Sequence, residues 1–262
     1  MTANNIDTLI DNIKNNQSTD YKKMNIEYPY SVTKIVECFH EPFDKEGQAE
    51  RCSHKYKNDP SSKYYNMEPW DILEMWEKSG ELGRNNGRML DDYIGFILMN
   101  SKSEADNLYT SKNGEPICNK FNTFNHLYNN EFVANNYKFL ARELTLYDPV
   151  YKWKGRFDAM FSKDNNVYLI DWKNNDKITT ENTYKNLKGP LYKYQDTDLN
   201  RYTIQLYLYK YVVEKYYGFD NIKPILCRIG EHDYQFYVPH IPYSEQLIND
   251  ILKHAINTIN KQ

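Results

Sequence analysis

Residues 155–209 read GRFDAMFSKDNNVYLIDWKNNDKITTENTYKNLKGPLYKYQDTDLNRYTIQLYLY, and the fold turns on how this stretch is read. An apolar-alternating run, Trp153 to Phe161, carries Asp158. A polar segment, Ser162 to Asn166, reads as a turn, and a second run, Val167 to Lys173, ends in Asp171-Trp172-Lys173. Two such runs around a turn predict a β-hairpin with a carboxylate on each strand. Residues 171 and 173 are two apart on a strand, so both side chains leave the same face. Two acids and a lysine converging there make a place to hold a divalent metal and a water beside a phosphate.

Outward from the hairpin, residues 174–198 form a long polar loop. Lys177, Lys185, Lys188 and Lys193 are interleaved there with Tyr184, Tyr192 and Tyr194. Lysines meet phosphates and tyrosines stack on exposed bases, a pattern suited to a single strand of nucleic acid. A solvated, flexible loop is the competing reading. Leu199 to Tyr217 reads as a helix with Ile204, Leu208, Tyr211 and Val212 as its buried stripe. Gln205 and Tyr209, four residues apart, share one of its faces. Lys223–Ile229 and Tyr234–Val238 read as strands around Gly230, and Ser244–Ile259 as a closing amphipathic helix.

On the N-terminal side, Leu140 to Tyr147 alternates and predicts a strand with Glu143 inside it. Phe121–Phe139 reads as a helix, and residues 101–120 as a polar loop turning at Asn113-Gly114. Met67–Met99 is strongly helical, with Gly83 and Gly87 expected to break or tighten its path. Asp91 and Asp92 fall on its second part, where a solvated helix face explains either acid equally well. Ser31 can cap a short helix, 32–39, ahead of Pro42. Residues 44–66 read as the beginning of a helix and then a loop, and residues 1–25 as an amphipathic helix with a loose connection. The order is helices, then β-β-β-α-β-β, then a helix. It predicts an α/β fold with a mixed central β-sheet flanked by helices and an α-helical N-terminal extension. Residues 1–135 would form the helical part, packed on a core of residues 136–262 in a single compact unit.

Composition narrows the function classes. The 262 residues are 40% hydrophobic and 15% aromatic, with 25 Tyr, which supports a packed core. The net charge of -3 excludes a generally basic nucleic-acid coat, so a polyanion must meet a local patch. Cys38, Cys52, Cys118 and Cys227 form no CxxC pair, which favours reduced thiols over zinc or iron–sulfur ligation. No run reaches transmembrane length, and the first residues lack the pattern of a signal or transit peptide. The expectation is therefore an intracellular protein of cytoplasm or nucleus, with a viral source among the options.

In order along the chain stand Glu143, Gly155-x-x-Asp158, Asp171-Trp172-Lys173 and Gln205-x-x-x-Tyr209. This series resembles the PD-(D/E)XK nuclease superfamily, and within it the RecB-type branch with its GxxD, DxK and QxxxY motifs. The segment LIDWKN, residues 169–174, is similar to the corresponding strand of mitochondrial genome maintenance exonucleases. Trp76, Gly83, Gly87 and Leu90-Asp91-x-x-Ile94 resemble the helix that often carries a motif histidine in that branch, and Ser31-Val32-Thr33 and Pro42-Phe43 also fit. The resemblance spans roughly residues 28–230. It departs from the pattern at Asp91, which stands where the family often has His.

The resemblance implies a restriction-endonuclease-like core and a metal-dependent nuclease. Asp158 and Asp171 would bind one or two Mg²⁺ or Mn²⁺ ions, with the backbone carbonyl of Trp172 as a further ligand and Asp91 as a third carboxylate. Lys173 would orient or help deprotonate the attacking water and offset charge at the scissile phosphate. Glu143 would complete the acidic site. Gln205 and Tyr209 would position either DNA or the lysine–metal assembly, and Lys185, Lys188, Lys193 and Tyr192 would contact the strand. The expected activity is an exonuclease on single-stranded DNA or free ends in replication, recombination or repair. An RNA-cutting or structure-specific endonuclease on the same core, or a catalytically weak nucleic-acid-binding module, are the alternatives.

Overall fold

The computed structural model describes residues 6–18, 20–109 and 118–261. Its elements, in chain order, begin with α1 (Ile6–Asn15), α2 (Tyr21–Glu27), β1 (Tyr30–Ser31), α3 (Val32–Glu37) and α4 (Lys45–Tyr56). There follow α5 (Pro69–Leu98), α6 (Lys102–Tyr109), α7 (Asn119–Leu127) and a π-helical turn (Tyr128–Val133). Next come β2 (Lys138–Arg142), β3 (Thr145–Asp148), β4 (Trp153–Arg156), β5 (Ala159–Lys163) and β6 (Asn166–Lys173). A 3-10 turn (Gly189–Leu191), α8 (Asp198–Tyr217), β7 (Ile222–Ile229), β8 (Tyr234–Tyr237) and α9 (Glu245–Ile259) complete the chain.

The protein is a mixed α/β fold. Five strands form one sheet in the order β2-β5-β6-β7-β8, in which only β6 and β7 run parallel. A parallel pair needs a crossover connection, and α8 supplies it. Both faces of this sheet are covered. Val167 and Leu169 of β6 join a core with α1, α3, α8 and α9, whereas Ile170 and Trp172 join a second core with α5 and α7. Burial on both faces explains why this strand reads as a nearly continuous apolar run. It also sends Asp171 to the α8 side and Trp172 to the other. The helical N-terminal part is tied into this arrangement, because Leu9, Ile10, Val32 and Ile35 enter the first core and β1 pairs with β4.

Serine hydroxyls cap two helix starts, that of Ser31 as expected. The Ser31 hydroxyl caps α3 by accepting from the Lys34 amide at 3.2 Å, and Ser244 caps α9 by accepting from Leu247 at 3.1 Å. Among the described residues no helix is long and apolar enough to cross a membrane. All four cysteines are free.

Four expectations need correction. The run Trp153–Phe161 is not one strand: β4 belongs to a three-stranded sheet, β1-β4-β3, and β5 to the five-stranded one. Leu140–Tyr147 breaks at the same level, between β2 and β3. The two breaks face each other. The Glu143 amide donates to the Asp158 carbonyl at 3.2 Å and the Phe157 amide to the Leu144 carbonyl at 3.4 Å, with Glu143 at φ 51°. This is a long antiparallel ribbon bent once, and alternation continues through the bend, so periodicity conceals it. Second, α5 runs unbroken for 30 residues through Gly83 and Gly87. A reciprocal Glu68/Asp71 capping box and Pro69 start it, and an internal glycine costs only about 1 kcal/mol. Third, α6 lies within the expected loop 101–120, while the Asn113-Gly114 turn falls outside the described residues. Fourth, the helix expected to reach Phe139 ends in the π-helical turn, and Phe139 belongs to β2, where its ring packs near Phe161.

Gly155 is fixed by a close approach. A Cβ there would lie 2.6 Å from Cε1 of Tyr209 and 2.9 Å from Val32. Gly155→Ala is expected to destabilise the protein by about 1–3 kcal/mol, the usual cost of overpacking a core. Urea denaturation measures it, and a midpoint equal to that of the unaltered protein would show that β4 yields without cost.

Candidate active site at the sheet bend

Asp171 is 1% exposed, near the end of β6 under α8. A carboxylate so buried requires compensation. Gln205 Nε2 donates to its Oδ1 at 3.1 Å. Its Oδ2 receives no hydrogen bond of suitable angle and instead meets the Lys173 ammonium as an ion pair at 2.6 Å. Lys173 Nζ also lies 4.5 Å from the ring centre of Tyr202, one turn before Gln205 on α8. Gln205 Nε2 donates as well to the Tyr209 hydroxyl at 3.2 Å, and that hydroxyl donates to the Arg156 carbonyl at 2.9 Å. The Gln205/Tyr209 pair thus couples Asp171 to the ribbon that carries Asp158. Tyr209 is itself 1% exposed, so it offers no surface to nucleic acid, and of the two expected roles only the internal one is open to it.

Asp158 sits in the bend, and its Oδ2 accepts from the Trp172 amide at 2.7 Å. One backbone hydrogen bond thereby joins the first acid to the strand of the second. Trp172 turns its ring into the second core, 9% exposed, leaving only its backbone for the site. Asp158, Trp172 and Lys173 line a pocket of about 270 Å³ whose opposite wall is Gly87, Leu90, Asp91 and Ile94 of α5.

Burial, and then the nearby charge of Asp171, push the Asp158 carboxyl well above the usual carboxylate range, against the opposing pull of Lys173 and the Trp172 amide. Burial alone would lower the Lys173 ammonium, but Asp171 and Asp158 outweigh it and hold the group above the ordinary lysine range. Burial and then Glu143 raise Asp91, with Arg142 opposing them.

The expected third carboxylate, Asp91, faces this pocket but is paired with arginine. Arg142 Nη2 lies 3.4 Å from Asp91 Oδ2 and 3.1 Å from Glu143 Oε2, and Arg156 Nη2 lies 3.2 Å from Glu143 Oε1. Among the described residues no group of three or more His, Cys, Asp or Glu side chains is placed to hold a metal ion. Asp91 nevertheless lines the same pocket as Asp158, on its opposite wall. Asp158 and Asp171 form the nearer pair, while Asp91 and Glu143 are clamped by arginine.

The loop residues lie apart from this pair. Lys185 and Lys188 approach Glu41 at 3.9 and 3.7 Å, Lys193 Nζ stands 5.7 Å from the Tyr192 ring centre, and Tyr192 is 61% exposed. The loop is anchored, with Leu187 and Leu191 in the first core. Sequence reasoning missed Arg142, Arg156, Tyr202 and Asn174. Tyr202 carries a usable signal, since it precedes Gln205 by three on one helix face. Asn174 directly follows Lys173 and donates to the Gly83 carbonyl of α5 at 3.1 Å. Arg142 joins elements distant in sequence, and no local pattern marks that contact.

No family model matches this chain, and no curated protein does. Among solved structures, the chain is similar to a "putative exonuclease" from Eubacterium rectale at 11% identity and a TM-score of 0.49, covering 94% of this chain and 84% of that one. It is also similar to the structure named SSO0001 at 17% identity and a TM-score of 0.37, covering 97% of this chain and 82% of that one.

The raised Asp158 sets a pH dependence. In the cation-free protein the folded state holds this proton more tightly than the unfolded chain does. Stability rises with pH only where the unfolded state binds more protons, so this group lowers stability as pH climbs above about 4. In EDTA, the stability of Asp158→Asn relative to the unaltered protein is expected to increase across that range. Urea midpoints at a series of pH values measure it, and two parallel curves would refute the assignment.

Proposed function

We propose that this chain is a metal-dependent nuclease that hydrolyses phosphodiester bonds, acting as an exonuclease on single-stranded DNA or free ends. The observation that carries the reading is the Asp171-Trp172-Lys173 segment, with Lys173 Nζ 2.6 Å from Asp171 and the Trp172 amide 2.7 Å from Asp158. A pair of acids with one backbone carbonyl fits Mg²⁺ or Mn²⁺, hard ions that retain several waters and need only one or two carboxylates. The buried Oδ2 of Asp171, which takes no hydrogen bond beyond its ion pair with Lys173 at 2.6 Å, keeps lone-pair capacity for such an ion. When bound, such an ion supplies a Lewis acid and lowers the pKa of water.

The chain's own groups have distinct tasks in this reading. Asp158, Asp171 and the Trp172 carbonyl hold the cation. Lys173, kept protonated by its two acidic neighbours, donates to the phosphate and offsets its growing negative charge. That protonation disfavours the other expected task, accepting a proton from the attacking water. Gln205 and Tyr209 keep Asp171 oriented. Leu90 and Ile94 give the pocket an apolar wall, which strengthens the charge interactions inside it.

Asp171→Ala or Asp158→Ala is expected to lower cleavage at least about 100-fold, the order lost with a metal's Lewis-acid role. DNA binding should largely survive. End-labelled linear and circular single strands, digested with Mg²⁺, Mn²⁺ or EDTA, provide the assay. Undiminished cleavage by Asp171→Ala would eliminate the catalytic assignment, and binding without any cleavage by the unaltered protein would leave a binding module. Circles cut as fast as linear strands would identify an endonuclease.

The exposed loop lysines are expected to grip the strand's phosphates. Neutralising Lys185, Lys188 and Lys193 together should weaken binding and flatten its salt dependence by up to about two, since each phosphate contact contributes roughly 0.7 to the slope for a single strand. An unchanged slope would return the loop to solvent.

A further inference from the structure

We propose that the guanidinium of Arg142 takes the place of a second metal ion, so that the site binds one divalent cation per chain, at Asp158 and Asp171. The inference rests on the metal-dependent reading above and deepens it. Two-metal phosphoryl-transfer sites clamp the attacking and leaving oxygens between ions about 4 Å apart. Here the second pair of acids, Asp91 and Glu143, is already bridged by one cationic side chain. Arg142 Nη2 lies within 3.4 Å of Asp91 Oδ2 and 3.1 Å of Glu143 Oε2, and it donates to the Asp91 carbonyl at 3.3 Å. The planar fork of a guanidinium suits such a bridge.

The fold makes room for this side chain. Arg142 has only 19% of its side chain exposed. It crosses α5 at Gly95, one turn after Asp91, where a Cβ would fall 1.5 Å from Nη1. An internal helix glycine is unfavourable by about 0.5–1 kcal/mol against alanine. The space taken by the guanidinium accounts for one at this position.

Charge balance points the same way. With a cation bound, which requires the Asp158 carboxyl to lose its proton, Asp91, Glu143, Asp158 and Asp171 carry four negative charges, and Arg142, Arg156 and Lys173 carry three positive ones. The remainder is one negative charge. One divalent ion and one phosphodiester monoanion bring the assembled site to neutrality, whereas two ions would leave it with two uncompensated positive charges in a partly buried pocket.

The test counts Mn²⁺ bound to the full chain by the electron paramagnetic resonance of the free ion, with thermal melts to verify folding. The unaltered protein is expected to bind one Mn²⁺. Arg142→Gln, which removes the cation between Asp91 and Glu143, and Gly95→Ala, which displaces the guanidinium without removing its charge, are each expected to bind two. Two ions in the unaltered protein would overturn the inference alone, whether or not either variant folds. One ion in both folded variants would also overturn it. No bound Mn²⁺ in the unaltered protein would remove the metal-dependent reading, and this inference with it.

Discussion

A carboxylate that is 1% exposed loses its hydration and needs other partners, and the architecture around Asp171 is largely that compensation. Lys173 neutralises one oxygen and Gln205 hydrogen-bonds the other. Gln205 is held by Tyr209, and Tyr209 by the Arg156 carbonyl. That last contact requires the ribbon to pass within van der Waals reach of α8, which only Gly155 permits. The glycine of one motif and the tyrosine of another are thus two sides of one packing contact.

The helix α5 imposes a second constraint. It forms the far wall of the pocket and accepts close contacts along its length, from Asn174 at Gly83 and Gly87 and from Arg142 at Gly95. Gly87 and Gly95 are sites of close approach by other elements, and the helix tolerates its glycines because its remaining residues favour helix and its distal half is buried in the second core. The wall is therefore continuous, and Asp91 and Gly95 present one face to Arg142.

These two constraints were unequally legible in the sequence. The β6 run, the α8 crossover, the Ser31 cap and the mixed sheet all follow from local patterns, because burial on a strand face or helix stripe leaves a period in the chain. The acid–lysine spacing of Asp171 and Lys173 was legible for the same reason. The bend at Glu143 and Asp158 was not, since a ribbon can pass from one sheet to another without interrupting alternation. The arginine clamp was also hidden. Arg142 meets Asp91 across 51 residues, and an arginine beside a glutamate on a strand is equally compatible with solvent. The continuity of α5 was misread because glycine weakens a helix without being able to say whether packing restores it.

The parallel pairing of β6 with β7 has a kinetic side. It joins Val167 to Ile222 and Lys173 to Arg228, contacts that form only after the intervening loop and α8 have been ordered. Closing a chain segment of that length precedes any gain from the contacts it makes, and such non-local pairings slow folding. The β5–β6 hairpin can form early from local contacts, but Asp171 acquires its α8 partner only when the crossover docks. During synthesis the chain therefore carries its acidic residues in an unassembled form until nearly the whole sheet has emerged, and the pocket matures as a late event of folding.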